Sequence, residues 1–235
     1  MPTDLTAMQI ELANATRLFQ AFGGVGLTRT LAGIESSLVS TQIDTCAVTL
    51  ATAGVNAEVL GAAGRIKRLA GQVNVVIHAL GILLCLPRIL QPEEIVEYVS
   101  LGAGNTGKAF DLETNQRIAE FKFIQWRGGS EAIRQNGIFK DFYLMSEYPT
   151  EKHKFLYVLG REHPAKFLNG RRSLSSVLSH HSKLQKQFAE KYGEQYRTVR
   201  EYYLPRKDDV FIEDILPLVP ELNALPAESA ELFEE

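Results

Sequence analysis

The chain has 235 residues, 45% of them hydrophobic and 23% charged, with a formal net charge of −3 at pH 7. That length is enough for a full core, and the balance excludes disorder on a large scale. Cys46 and Cys85 are its only cysteines, too few for a disulfide framework or a four-thiolate metal centre, so they read as small apolar fillers in a reducing compartment.

The N-terminus, MPTDLTAMQ, has an acid and no basic n-region, and is expected to carry no signal peptide. A first helix is expected from about Thr6 to Phe22, with Ile10, Ala13, Leu18 and Phe19 among its apolar positions and the Gly23-Gly24 pair ending it. Residues 27–70, rich in Ala, Thr, Gly and Leu, read as two or three short helices. Residues 1–90 hold only six Lys+Arg and five acids. Such a weakly charged surface is expected to be covered, either by the rest of the chain or in a homo-oligomer. The most apolar run, residues 73–86, is 14 residues long, contains Asn74 and His78, and ends at Pro87. It is shorter than a bilayer span, so a buried helix over 72–90 is expected, kinked at Pro87 and stopped by Pro92. A cytoplasmic protein without a membrane partner follows as an expectation.

EIVEYVSLG (94–102) alternates and reads as a strand; GAGNTGK turns the chain; AFDLE and RIAEFKFIQ read as two strands around a Thr-Asn-Gln turn. Ser130 is a fair N-cap for a helix over 131–147, with Ile138, Phe142 and Met145 on one face. HKFLYVLG (153–160) reads as a strand, and residues 173 to about 203 as basic, aromatic helix broken near Gly193. Residues 151–205 hold 11 Lys+Arg and 5 acids, whereas 206–235 hold nine acids against Arg206 and Lys207. A basic segment before an acidic tail suits a polyanion partner, although solvated helix faces give the same pattern. Four parts are expected: an apolar helical part (1–71), a sheet-bearing core (72–172), a basic helical extension (173–205) and an acidic, proline-containing tail (206–235), loose from Pro217 on. The fold class is α/β (α+β mixed): a central mixed sheet of about four strands flanked by helices, with helices added at both ends.

The hairpin carries the chemistry. With its turn centred on Asn115 and Gln116, Leu112 faces Ala119 and Asp111 faces Glu120. Strand alternation puts Glu120 and Lys122 on one face and Ala119, Phe121 and Phe123 on the other. Two carboxylates across a sheet repel, and a bound cation, a shared proton or a nearby base must offset that. A hard cation such as Mg²⁺ suits a carboxylate pair completed by waters and phosphate oxygens; Lys122 alone could also neutralise the pair.

Asp, a gap, then Glu-x-Lys on the next strand resembles the PD-(D/E)xK motif of the restriction-endonuclease-like nucleases, and the order helix, strand, strand, strand, helix, strand over about 72–160 is similar to their core. Phe110 stands where the motif often has Pro. The resemblance implies a restriction-endonuclease-like core whose Asp111 and Glu120 hold Mg²⁺ (or Mn²⁺) with the Phe121 carbonyl, and whose Lys122 activates water and stabilises phosphate charge. It implies a metal-dependent nuclease acting on nucleic acid, with DNA favoured over RNA by analogy. A further acid in such a site could come from Glu93, Glu94 or Glu97. Gln125, Arg127, Arg134, Gln135, Arg171 and Arg172 are candidate nucleic-acid contacts, and Trp126 could stack on a base or sit in the core.

Two alternatives stand beside this reading. One is a non-catalytic binding or assembly module with the same fold. The other is a nucleotide-binding protein using Gly102–Lys108, which nearly spells a phosphate-binding loop. Ala109 there replaces the Ser/Thr that would bind Mg²⁺, and a strand rather than a helix is expected next. The five histidines show no zinc spacing with cysteine.

Overall fold

A computed structural model describes residues 5–23, 26–39, 42–102, 107–126 and 131–224. The chain divides into two compact units, Met1–Asn74 and Val75–Glu235. The first holds α1 (Leu5–Gly23), α2 (Leu27–Leu38), α3 (Ile43–Thr52) and the start of α4 (Ala57–Ile89). Glu11 on α1 pairs with Arg65 on α4 at 3.6 Å. The expectation of a helix starting near residue 72 is corrected: α4 is one helix of 33 residues, ~50 Å long. Nothing in residues 57–71 breaks it, because Gly61, Gly64 and Gly71 each cost about 1 kcal/mol without removing a hydrogen bond. Its Pro87 lies in the last turn.

By length and composition α4 could cross a bilayer, a test that core helices also pass. The expectation of a buried helix holds for one face only. Ile82, Cys85 and Ile89 are buried, whereas Val75, Val76, Leu80, Leu83 and Leu84 are exposed.

The second unit is built on a five-stranded sheet in the order β1 (Val96–Val99), β2 (Leu112–Thr114), β3 (Arg117–Lys122), β4 (His153–Val158), β5 (Val210–Asp214). The first two pairings are antiparallel and the last two parallel. The tight turn between β2 and β3 has a local cause. Thr114 Oγ1 accepts the backbone N–H groups of Gln116 (3.0 Å) and Arg117 (2.9 Å), the side-chain turn that threonine favours. Its hydroxyl donates to Glu94 (2.6 Å). The return from β3 to the parallel β4 goes through α5 (Ala132–Glu147), as parallel pairing requires.

Alternation along the central strands splits the core in two. Ile118, Leu156, Val158, Val210 and Ile212 face Ile138, Phe139, Phe142 and Met145 of α5, so the expected α5 face is buried. Leu112, Ala119, Phe121, Phe123 and Tyr157 face Ile82, Cys85 and Ile89 of α4. Both faces are therefore covered. Beyond β4 run α6 (Glu162–Leu168), α7 (Leu174–Leu178), α8 (Ser182–Tyr192) and α9 (Val199–Tyr203), with Gly193 (φ 53°) ending α8. The acidic segment from residue 206, for which no strand was expected, holds β5, whose Val210 and Ile212 are buried beside β4. Short length and flanking acids hide that strand in the sequence.

Candidate active site

The hairpin register is the expected one: Leu112 pairs with Ala119 and Glu113 with Ile118. Asp111 sits one residue before β2, where its backbone carbonyl accepts Ser100 N–H at 2.7 Å. Asp111 Oδ2 accepts the Phe121 backbone N–H at 3.0 Å, so the carboxylate takes over where the β2 ladder ends. A strand residue points its N–H and C=O to the same edge, which puts the Phe121 carbonyl on that edge too.

Glu120 and Lys122 share the sheet face covered by α5. Lys122 Nζ lies 2.8 Å from Glu120 Oε1 and 2.9 Å from Asp141 Oδ2 on α5. Burial pushes the Glu120 carboxyl up to about 7; Lys122 opposes this, while Asp111 and Asp141 push the same way. Burial works against the charge on Lys122, but Asp141 and Glu120 outweigh it and hold the ammonium above lysine's ordinary value. The cluster is thus carboxylate-rich and poorly hydrated, with one lysine shared by two acids.

His78 Nε2 on α4 lies 3.3 Å from Asp111 Oδ1, its ring edge-on to Phe123. The hydrogen bond to Asp111 raises the imidazole pKa; burial opposes it, and the charges of Asp111 and Glu120 add to it. Three residues on, Gly81 lets the helix approach: an added Cβ would lie 2.3 Å from Phe123 Cε1. His78 and Asp141 are the groups that sequence reasoning missed. An apolar helix hid the first. The second carries a signal, an acid set between Phe139 and Phe142 on a helix that must pack.

Four of the six candidate contact residues fall into two pairs. Arg134 donates to the Gln125 carbonyl at 2.7 Å and pairs with Glu131 at 2.7 Å. Arg172 donates to Gln135 and, at 3.2 Å, to Ser176. Arg171 is exposed. Arg127 and the Ser130 cap lie outside the described residues. Trp126 is a core residue against Phe167 and His163, not a stacking platform.

Glu94 is not part of the cluster. It holds Arg117 through two hydrogen bonds, 2.6 and 2.7 Å, at the turn end of the hairpin. Glu97 pairs with Lys152 at 2.7 Å, and Glu93 is exposed.

Of the phosphate-loop candidate, residues 103–106 lie outside the described residues. Lys108 lies 3.8 Å from Glu113 and over the Tyr98 ring, and the strand β2 follows at Leu112 rather than a helix. A cavity of about 430 Å³ on the α4 side of the sheet is lined by Arg88, Arg117, His153, Tyr157 and Glu213, among others; Asp111, Glu120 and Lys122 do not line it.

Comparison with protein-family models, curated proteins and solved structures found no match for this chain.

Proposed function

We propose that the chain is a metal-dependent nuclease of the PD-(D/E)xK type, hydrolysing phosphodiester bonds in nucleic acid, with DNA favoured over RNA by analogy alone. One observation carries the reading: Asp111 and the half-buried Glu120–Lys122 pair lie at the same end of the β2–β3 hairpin, on a sheet covered on both faces. Charges kept there against the cost of burial need a reason.

The donor chemistry fits a hard divalent cation, Mg²⁺ or Mn²⁺. Among the described residues no three His, Cys, Asp or Glu groups form a ready metal cage. A cation that keeps several waters needs only one or two carboxylates. Asp111, Glu120 and the Phe121 carbonyl would hold it. Such an ion supplies polarisation of a phosphate oxygen and a lowered pKa for water. Lys122, kept charged by its acids, offsets the negative charge that grows on the phosphate as the water oxygen bonds to phosphorus and the bond to the sugar oxygen breaks. Arg134 and Arg172 are the proposed backbone contacts, and raising salt is expected to weaken binding.

A second reading, a non-catalytic module with this fold, is favoured by one fact: Lys122 is engaged by two acids, and Glu120 by Lys122. Calorimetry with Mn²⁺ separates the two. Binding that Asp111→Ala removes supports the nuclease; no heat from the wild type supports the module.

A further inference from the structure

Lys122 has two acidic partners, and the proposed reaction assigns one of them, Glu120, to the cation. Asp141 is 8% exposed, and α5 is fixed on the sheet by Phe139 and Phe142, both fully buried. A buried carboxylate is costly unless paired, and among the described residues the ion-pair partner of Asp141 is Lys122. The arrangement raises a conflict. Glu120 Oε1 faces the ammonium at 2.8 Å, so a cation drawn to Glu120 meets a positive charge already seated there. At such range two like charges in a site partly shielded from water repel strongly. The lysine must turn away, and Asp141 is already within 2.9 Å of it.

We infer that Asp141 is a positioning residue that retains Lys122 when Glu120 is taken by a cation, so that the ammonium stays beside the reacting phosphate without blocking the metal. This rests on the reading of Asp111 and Glu120 as the cation site. The helix face leading to Asp141 is open one turn before it. Gly137, one turn earlier, would meet nothing within 4 Å if it carried a Cβ, and Arg134 lies a further turn back on the same face. A phosphate approaching along this face would pass Arg134 before reaching Lys122.

The test is a double-mutant cycle on the full chain, reading Mn²⁺ affinity by calorimetry in the wild type, Asp141→Asn, Lys122→Ala and the double variant, with thermal melts to establish folding. Asp141→Asn is expected to weaken Mn²⁺ binding roughly tenfold, because Lys122 then stays on Glu120. In the Lys122→Ala background the same change is expected to matter by no more than about twofold. Asp141→Glu restores most of the affinity. If Asp141→Asn does not fold, Asp141→Ser takes its place in the cycle. An equal loss in both backgrounds overturns the inference, because Asp141 then acts through its own charge or through the fold. No loss in either background overturns it as well. A wild type that binds no Mn²⁺ overturns the cation site itself, and the role of Asp141 with it.

Discussion

Glu120 and His78 couple folding to pH in the same direction. Burial lifts Glu120 from the ordinary 4.5 to about 7, and the Asp111 hydrogen bond lifts His78 above 6.5. Each group therefore binds its proton more tightly in the folded chain than in the unfolded one. The stability that each contributes is full below its unfolded value and is lost as the pH rises through its folded value. Without added metal, the melting temperature is expected to fall as pH rises from about 5 through about 7, and to go on falling above 6.5 as His78 loses its proton. Glu120→Gln flattens the part of that slope below about 7, and His78→Gln the part above about 6.5. Scanning calorimetry across pH checks this, and a slope unchanged in both variants contradicts it. Asp111, Glu120 and Lys122 were legible because a two-residue period and a turn place them by counting. His78 and Asp141 were not, because they reach the cluster from two helices whose packing no local pattern specifies.

The elements around the hairpin are fixed at two points. At one end Gly81 lets α4 close on Phe123, so Gly81→Ala must push helix and strand apart, with an expected loss of about 1–3 kcal/mol by denaturant titration. Because His78 lies one turn away, the same change is expected to reduce its contact with Asp111. At the other end the buried Glu94–Arg117 pair, completed by Tyr157 at 2.9 Å from Arg117, clamps the turn. Glu94→Ala leaves the guanidinium buried without its acid and is expected to cost about 3–5 kcal/mol; a loss within about 1 kcal/mol would contradict the clamp. The register of β2 and β3 was readable because Thr114, Asn115 and Gln116 mark the turn and every neighbour then alternates correctly. The length of α4 was not, since its glycines read as breaks although each only weakens a helix locally and removes no hydrogen bond.

At the scale of the molecule, two covered faces make the half-buried charges informative, and the β5 segment contributes to both, with Val210 and Ile212 in the α5 core and Ile215 in the α4 core. A chain ended at residue 207 loses Val210, Ile212 and Ile215, each worth about 1.5–3 kcal/mol, against a total stability of about 5–15 kcal/mol. It is expected to lose its cooperative melt; a truncated chain that melts like the full one would contradict the five-stranded core. The sheet's mixed order was legible from three strands followed by a helix and a fourth. The fifth was not, because VFIED is short and sits among acids and prolines that read as tail. The proposed activity depends on Asp111, Glu120 and Lys122 forming a hydrolytic site. Cleavage of labelled DNA and RNA with Mg²⁺ or Mn²⁺, comparing the wild type with Asp111→Ala and Lys122→Ala, tests it most directly. The expected result is metal-dependent cleavage by the wild type, lowered by about 10²–10³ or more in each variant. Cleavage that both substitutions leave intact, or a wild type inert on either nucleic acid with both metals, would contradict it.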